Sequence, residues 1–491
     1  MIRKITIGLL ILAAVFCRRE AAGQDLRARL DSFLADTALA SAQIGIDIYD
    51  ITADSGIYCR DCNKMFNPAS NMKLFTSAAA LELLGPSYKF KTGFFASGKI
   101  DKKGRLKGDL IIVGGGDPLI SGRFRNGVTD VLALWADSLR QKGIREIKGD
   151  IVVDNSFFSG SEFGAGWSLD DLSYWYACPI SALSFNDNCV DLRFLPEKKV
   201  GDPAIIKLDP STDYIRITNN AVTIPADSQF NLDYFRIPFT NDVEFFGGIS
   251  VDDTVGVVDY VSVHRPDIYC GYIFGNVLNN KKIKFKGNIR EMDRMAGENV
   301  SVDSKGIYRP LFTWYSDSLT VVISVINKNS QNFFAEQTLK TIGKELGDEG
   351  SFKKGIEIVT AFLDSIGIGE DDIAMYDGSG LSHYNVVKSD AVIRLFRYMY
   401  HSSDFEAYYE SLGIPGVDRS VKKRLENIEF REHVRSKTGS IANALTFSGY
   451  IDGPRTGHLL AFSIMVNDYN CESNYVLNRF DSIVGLLLAV Y

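Results

Sequence analysis

The chain has 491 residues, too many for one ordinary core, so two or three domains are expected. Apolar residues make up 45% and charged residues 23%, the balance of a soluble globular protein. A net charge of −7 gives no electrostatic reason to expect nucleic acid or an anionic membrane surface as a partner.

Residues 1–23 read as a targeting segment. Arg3 and Lys4 precede an apolar run from Ile5 to Phe16, and Ala21-Ala22-Gly23 offers small residues for cleavage before Gln24. The run is too short for a good transmembrane span, and no later stretch qualifies; Ile483–Val490 ends an amphipathic C-terminal helix. Stable membrane insertion is therefore not expected. Cys17 would suit a lipoprotein, but Val15 and Phe16 are bulky where small residues normally precede a lipidated cysteine. Export with cleavage near Gly23 is the reading. The cysteines that remain are Cys59, Cys62, Cys178, Cys189, Cys270 and Cys471, and an oxidising compartment permits pairing. Cys59-Arg-Asp-Cys62 has no βαβ pattern around it and no further zinc ligands, which leaves a structural or local disulfide. The histidines form no ligand-spaced cluster, so neither a metal nor a cofactor is expected.

After Gln24 a helical start, Asp25 to Leu34, leads to an alternating strand, Ile44 to Ile51. Asn67-Pro-Ala-Ser70 is a turn into an apolar helix, Asn71 to Leu84, closed by Gly85-Pro86. From about residue 93 to about 305 short β-rich runs alternate with Gly, Asn and Asp turns; Leu110–Val113, Asp150–Val153, Tyr214–Thr218 and Val255–Val263 are examples. Gly114-Gly-Gly-Asp117-Pro118 reads as a tight turn, not a phosphate loop, because no helix follows. Helical periodicity returns at Gln331–Leu346, Gly355–Ile366 and Ser389–His401. Strands follow at His433–Lys437, Thr446–Ile451 and Leu459–Val466, then a last helix, Ser473–Val490. The pattern predicts one α/β (α+β) domain, 24–92 with 305–491, interrupted by a large β-rich insertion, 93–304.

Three short motifs carry the chemistry: Ser70-Asn-Met-Lys73, Ser330-Gln-Asn332 and Lys437-Thr-Gly439. Ser-x-x-Lys, Ser-x-Asn and Lys-Thr-Gly together are the parts of a serine acyl-transferase that activates its nucleophile with lysine. Each pattern recurs in the chain, at Ser351, Ser420, Ser184 and Lys91, so context must choose. Ser351 and Ser420 lie in charged, solvated segments where a lysine stays a hydrated cation. Ser70 opens a helix continuing Leu74, Phe75, Ala78 and Ala79, so Lys73 lies on the serine's face and its apolar surroundings disfavour the ammonium. The helix N-terminus also offers the Ser70 backbone N–H as an oxyanion donor. Lys91-Thr-Gly93 follows Lys73 too closely to form an opposite cleft wall. Lys437-Thr-Gly439 ends a strand, presenting a cation, a hydroxyl, a small residue and the N–H of Ser440 to a substrate lying alongside. Taken singly, Ser70 and Ser330 also read as helix-capping serines, and Asn332 as a surface polar residue. All three best-placed copies fall in the required order and in the predicted catalytic domain.

With these residues the chain resembles the penicillin-binding protein 4 type of D-alanyl-D-alanine carboxypeptidases and endopeptidases, the low-molecular-mass class C penicillin-binding proteins. The resemblance runs from about Asp25 to the C-terminus. It also includes the Gly116-Asp-Pro118 turn, Cys178-Pro-Ile-Ser-Ala-Leu-Ser-Phe-Asn186, Asn327 to Glu336, and Asp377-Gly-Ser-Gly-Leu-Ser382. About 260 residues separate Ser70 from Ser330, which resembles this family's architecture and not the compact class A β-lactamases, and implies that 93–304 holds two small inserted domains. The resemblance implies a serine β-lactamase/transpeptidase-like catalytic domain with Ser70 as acylated nucleophile and Lys73 as general base. It implies that Ser330 relays protons to the leaving amine and that Asn332 positions the lysine and the substrate amide. Lys437, Thr438 and Gly439 would hold the terminal carboxylate, Ser440 would complete the oxyanion site, and Asp171 with Tyr176 would meet the free amine of a diamino acid. Gln331, where a shorter Asp or Asn is usual, and the Cys59/Cys62 pair depart from the family's pattern.

The implied substrates are peptidoglycan stem peptides ending in D-Ala-D-Ala, with β-lactams as inhibitors and the periplasm or cell envelope as location. Endopeptidase action on cross-links would use the same residues. A β-lactamase or esterase of the same fold is one alternative, and a non-catalytic envelope binding protein is another. The long insertion argues against the first and the intact motif set against the second.

Overall fold

The computed structural model of the protein describes residues 26–293 and 308–491. The targeting segment and Cys17 lie outside the described residues. The two ends of the chain meet in one five-stranded antiparallel sheet. Its order is Ser55–Arg60, Gln43–Asp50, Leu459–Asn467, Ala444–Asp452 and Val434–Ile441.

The period-two alternation of a strand assigns the faces of this sheet. Leu445, Phe447 and Ile451 point to a core shared with residues of the helix Ser473–Val490 and with Leu26, Leu30 and Leu34 of the helix 26–34. Tyr450, Ala461 and Met465 point the other way, to a core formed with Phe75 and Phe396 of the helices Met72–Leu84 and Ser389–His401. Thr446 and Ser448 share this second face and have Gly439 and Lys437 directly opposite across the strand pair. The register therefore turns Lys437 and Gly439 toward the helix that begins after Ser70.

That helix is mostly apolar and buried on every side from Met72 to Leu81, as a helix packed between layers must be. It stops at Gly85, whose φ of 83° suits glycine at a C-terminus, before Pro86. The chain then runs into a mixed sheet ordered Ile289–Glu291, Ile151–Asp154, Leu110–Val113, Lys91–Ala96 and Arg309–Tyr315. Phe94, Trp135, Phe245 and Phe274 belong to one apolar cluster in this part of the chain. Lys91–Ala96 pairs with Arg309–Tyr315, so the outgoing and returning segments of the chain lie side by side.

The predicted helix Ser389–His401 and the last helix Ser473–Val490 have the observed bounds. Other expectations need correction. Lys437-Thr-Gly439 lies inside the strand Val434–Ile441, not at its end. Asp130–Gln141 and Pro266–Asn280 are helices within the region read only as short β-rich runs. Leu319–Asn329 is a helix that periodicity did not isolate, because Val321, Val322, Ile323, Val325 and Ile326 give it the composition of a strand. Ser351 is buried, not solvated. Cys59 and Cys62 form a local disulfide; Cys178, Cys189, Cys270 and Cys471 are free thiols.

Candidate active site

Ser70 sits in a single 3₁₀ turn, Ala69–Asn71, immediately before the helix Met72–Leu84. The turn is tightly held. Ala69 has a φ of 45°, uncommon for a residue with a side chain, and its N–H donates to Asn67 Oδ1 at 2.9 Å. Thr446 Oγ1 donates to the Pro68 carbonyl at 2.9 Å, and Asn71 Nδ2 donates to Ser448 Oγ at 2.7 Å. The edge strand comes so close that a Cβ on Gly439 would collide with Thr446 Oγ1 and lie 2.8 Å from the Ser70 nitrogen. Only glycine fits there.

Lys73 follows one turn later and is fully buried. Its Nζ donates to Ser70 Oγ at 3.0 Å, to Asn332 Oδ1 at 2.6 Å and to the Ser379 carbonyl at 2.6 Å. Three acceptors match the three donors of an ammonium; in the neutral amine the third contact reverses, and the lone pair can accept from Ser70. Burial pushes Lys73 down to about 7, against the opposing pull of Asp377 and Glu336. Near-neutral pH thus populates both forms.

Ser330 joins two helices, Leu319–Asn329 and Asn332–Gly347, as the left-handed cap (φ 56°) of the first. This bend points Ser330 at the edge strand, where Lys437 Nζ donates to its Oγ at 2.8 Å and also reaches the Thr438 carbonyl. Lys437 is fully buried; desolvation, then the nearby charge of Lys73, holds it well below the usual lysine range. Asn332 opens the second helix and donates from Nδ2 to the Tyr176 carbonyl at 2.8 Å.

Ser70, Ser330, Asn332, Ser440, Asp171 and Tyr176 all line one cleft of about 590 Å³, with Lys73 and Lys437 behind its wall. Tyr176 Oη donates to Asp171 Oδ1 at 3.0 Å, and desolvation followed by that carboxylate pushes the phenol up. Thr438 stands apart: its hydroxyl donates to the Ser420 carbonyl at 3.0 Å. The duplicate motifs are elsewhere. Ser184 donates to the Ser181 carbonyl at 2.7 Å in the buried 181–188 loop, and Lys91 is exposed at the start of the strand Lys91–Ala96. Ser420 meets the edge strand through its carbonyl, which accepts from Thr438, while Lys423 is exposed.

Four residues at the site escaped the motif reading. Ser379 supplies a carbonyl, Gly380 sits where any Cβ would collide with the Ala69 carbonyl, and Asp377 and Glu336 are buried carboxylates near Lys73. Asp377 to Gly380 belong to the resembling segment Asp377–Ser382. Glu336 lies one helical turn beyond Asn332, a spacing that places both on one face.

The sheet, the helices packed on it and the serine turn between them have the penicillin-binding fold. The model of the D-Ala-D-Ala carboxypeptidase 3 (S13) family matches residues 26–490, and the chain belongs to that family of peptidoglycan-acting serine carboxypeptidases. It is 29% identical over 483 residues to the D-alanyl-D-alanine carboxypeptidase of Actinomadura sp. (strain R39), covering 95% of this chain and 86% of that one. It is 25% identical over 406 residues to the D-alanyl-D-alanine carboxypeptidase DacB of Haemophilus influenzae, covering 82% and 80%. The crystal structure of penicillin binding protein 4 from that organism superposes with a TM-score of 0.79 at 23% identity, over 94% of this chain and 98% of that one. The same protein has been solved in complex with a β-lactam.

Proposed function

We propose that Ser70 is the acylated nucleophile of this carboxypeptidase and Lys73 its general base. The observation that carries this reading is the fully buried Lys73 amine 3.0 Å from the Ser70 hydroxyl. The neutral amine takes the hydroxyl proton as Ser70 attacks the carbonyl of the penultimate D-alanine. The N–H groups of Ser70 and Ser440 receive the oxyanion, a contribution of roughly 2.7–4 kcal/mol for each donor. Lys437 holds Ser330 at 2.8 Å, so Ser330 can pass a proton to the departing D-alanine amine while Asn332 keeps Lys73 oriented. Water then cleaves the ester.

Lys437, with Thr438 and Gly439 in the edge strand, receives the terminal carboxylate; Thr438 does so by exchanging the Ser420 carbonyl for the ligand. Asp171, held by Tyr176, meets the free amine of the stem peptide's diamino acid across the cleft. Stem peptides ending in D-Ala-D-Ala are the substrate, and β-lactams acylate the same serine. Deacylation of the penicilloyl ester is slow on this reading, because both carboxylates near Lys73 are taken up inside the protein. Glu336 accepts two backbone amides, and Asp377 accepts from Trp167, Asn385 and two backbone amides.

We further place the mature chain in the periplasm or cell envelope, since its substrate is there and the targeting segment supports export. No described helix is long and apolar enough to cross a membrane. The catalytic unit is 24–92 with 305–491, and 93–304 is an insertion of two small domains joined to it across the paired strands Lys91–Ala96 and Arg309–Tyr315. Release of D-alanine from a synthetic stem pentapeptide tests the site. Wild type should release it and Ser70→Ala should not; equal release by both would overturn the assignment.

A further inference from the structure

Glu336 is fully buried, makes no contact with the cleft, and yet lies beside the proposed base. Its two oxygens divide between two consecutive backbone amides. Oε2 accepts from Gly378 N–H at 2.8 Å and Oε1 accepts from Ser379 N–H at 2.8 Å. The carbonyl of that same Ser379 accepts from Lys73 Nζ at 2.6 Å. The helix Asn332–Gly347 therefore grips Lys73 twice. Asn332 does so directly at 2.6 Å, and Glu336, one turn on, does so through the 378–379 turn. Thr76 Oγ1 donates to the Gly378 carbonyl at 2.7 Å and ties the turn to the helix that carries Lys73.

We propose, on the reading of Ser70 and Lys73 given above, that Glu336 is a positioning residue for the acylation step. It fixes the Ser379 carbonyl against Lys73 and supplies a buried negative charge that sets how strongly Lys73 holds its proton.

The charges facing this pair are few. Asp377 accepts four bonds, from Trp167 Nε1, Asn385 Nδ2 and the N–H groups of Gly380 and Ser382, the full complement of an ionised carboxylate. Lys437 faces Lys73 from the edge strand, and Lys340 faces Glu336 from its own helix. Glu336 is thus a carboxylate placed between the buried Lys73 and Lys340, with Asp377 beside it. Burial first and Asp377 second push its carboxyl up, while the two amides and Lys73 oppose the rise; each of its oxygens accepts an N–H, the pattern of the anion. Removing that anion therefore lowers the pH at which Lys73 loses its proton.

Two variants separate charge from scaffold. Glu336→Gln removes the anion and places an amide NH₂ where an acceptor is needed. Glu336→Asp keeps the anion but draws it back from the turn. The readout is the rate of penicilloyl-adduct formation with benzylpenicillin from pH 5 to 9, followed by intact mass beside wild type and Ser70→Ala. For Glu336→Gln the expected result is at least a tenfold loss of plateau rate, with the acid limb moved to lower pH by about one unit, because loss of an anion weakens the ammonium. For Glu336→Asp the rate should fall with the limb unmoved. A folded Glu336→Gln with an unmoved limb overturns the proposal, whatever its rate. If that variant does not fold, a Glu336→Asp limb moved to lower pH overturns it. Wild type that forms neither Ser70 adduct nor penicilloate would refute the nucleophile itself, a failure distinct from this one.

Discussion

At Ser70 and at Ser351 the chain presents the same pattern, a serine followed three residues later by a lysine, each at the beginning of a helix. At Ser351 the serine works for its own helix. Its Oγ accepts from the Lys354 backbone N–H at 3.1 Å and donates to Glu349 Oε1 at 2.6 Å. The Lys354 side chain leaves for Glu357 at 2.7 Å and keeps 26% of its surface in water. At Ser70 no side chain caps the helix, and Lys73 turns inward to the serine hydroxyl, with nothing of its surface exposed. Local spacing puts lysine and serine on one face in both places. What differs is what covers them. Over Lys73 lie Asn332, Ser379 and the edge strand, from segments more than 250 residues away. A base is made by the layers above the motif, not by the motif.

That contrast can be broken at several points, beginning with the largest effect. Ser70→Ala should abolish penicilloyl-adduct formation, whereas Ser351→Ala should leave its rate unchanged. Lys73→Met should slow acylation by about 10²–10⁴-fold, the usual worth of a positioned base, while Lys354→Met has no effect on the rate. Gly439→Ala should cost about 10²-fold in acylation, since the added Cβ would collide with Thr446 Oγ1 and lie only 2.8 Å from the Ser70 nitrogen, so the strand must move away from the serine. The pH profile sharpens the same point. Lys73 must be neutral to act, and burial holds it at about 7, so acylation should rise with pH through an apparent pKa near 7 and level off above it. A base lysine left in water would instead give a rate still rising at pH 9. Smallest of all, Ser351→Ala should lower thermal stability by about 1 kcal/mol through the lost cap, read as a modest fall in Tm.

Much of this was legible in the sequence, for a physical reason. A helix start, an apolar face and a strand each leave local signals, so the better-placed copies of the three motifs could be selected before any contact was known. Contacts made by the backbone leave none. The Ser379 carbonyl on Lys73, 306 positions along the chain, and the two amides on Glu336, 42 and 43 positions along, depend on where one turn lands, and side-chain type does not record it. The helix Leu319–Asn329 was hidden differently. Its β-branched residues suit a strand, and burial between packed helices outweighs that preference. Lys437-Thr-Gly439 was expected at a strand end, yet the strand continues through Ser440 and Ile441, because their partners Leu445 and Ala444 extend the ladder to the hairpin.

The most direct measurement is mass spectrometry of the purified protein after incubation with benzylpenicillin, with peptide mapping and Ser70→Ala alongside. The expected result is a single penicilloyl group on the peptide containing Ser70, absent from the variant. An adduct on any other residue, or neither adduct nor penicilloate from wild type, would contradict Ser70 as the nucleophile.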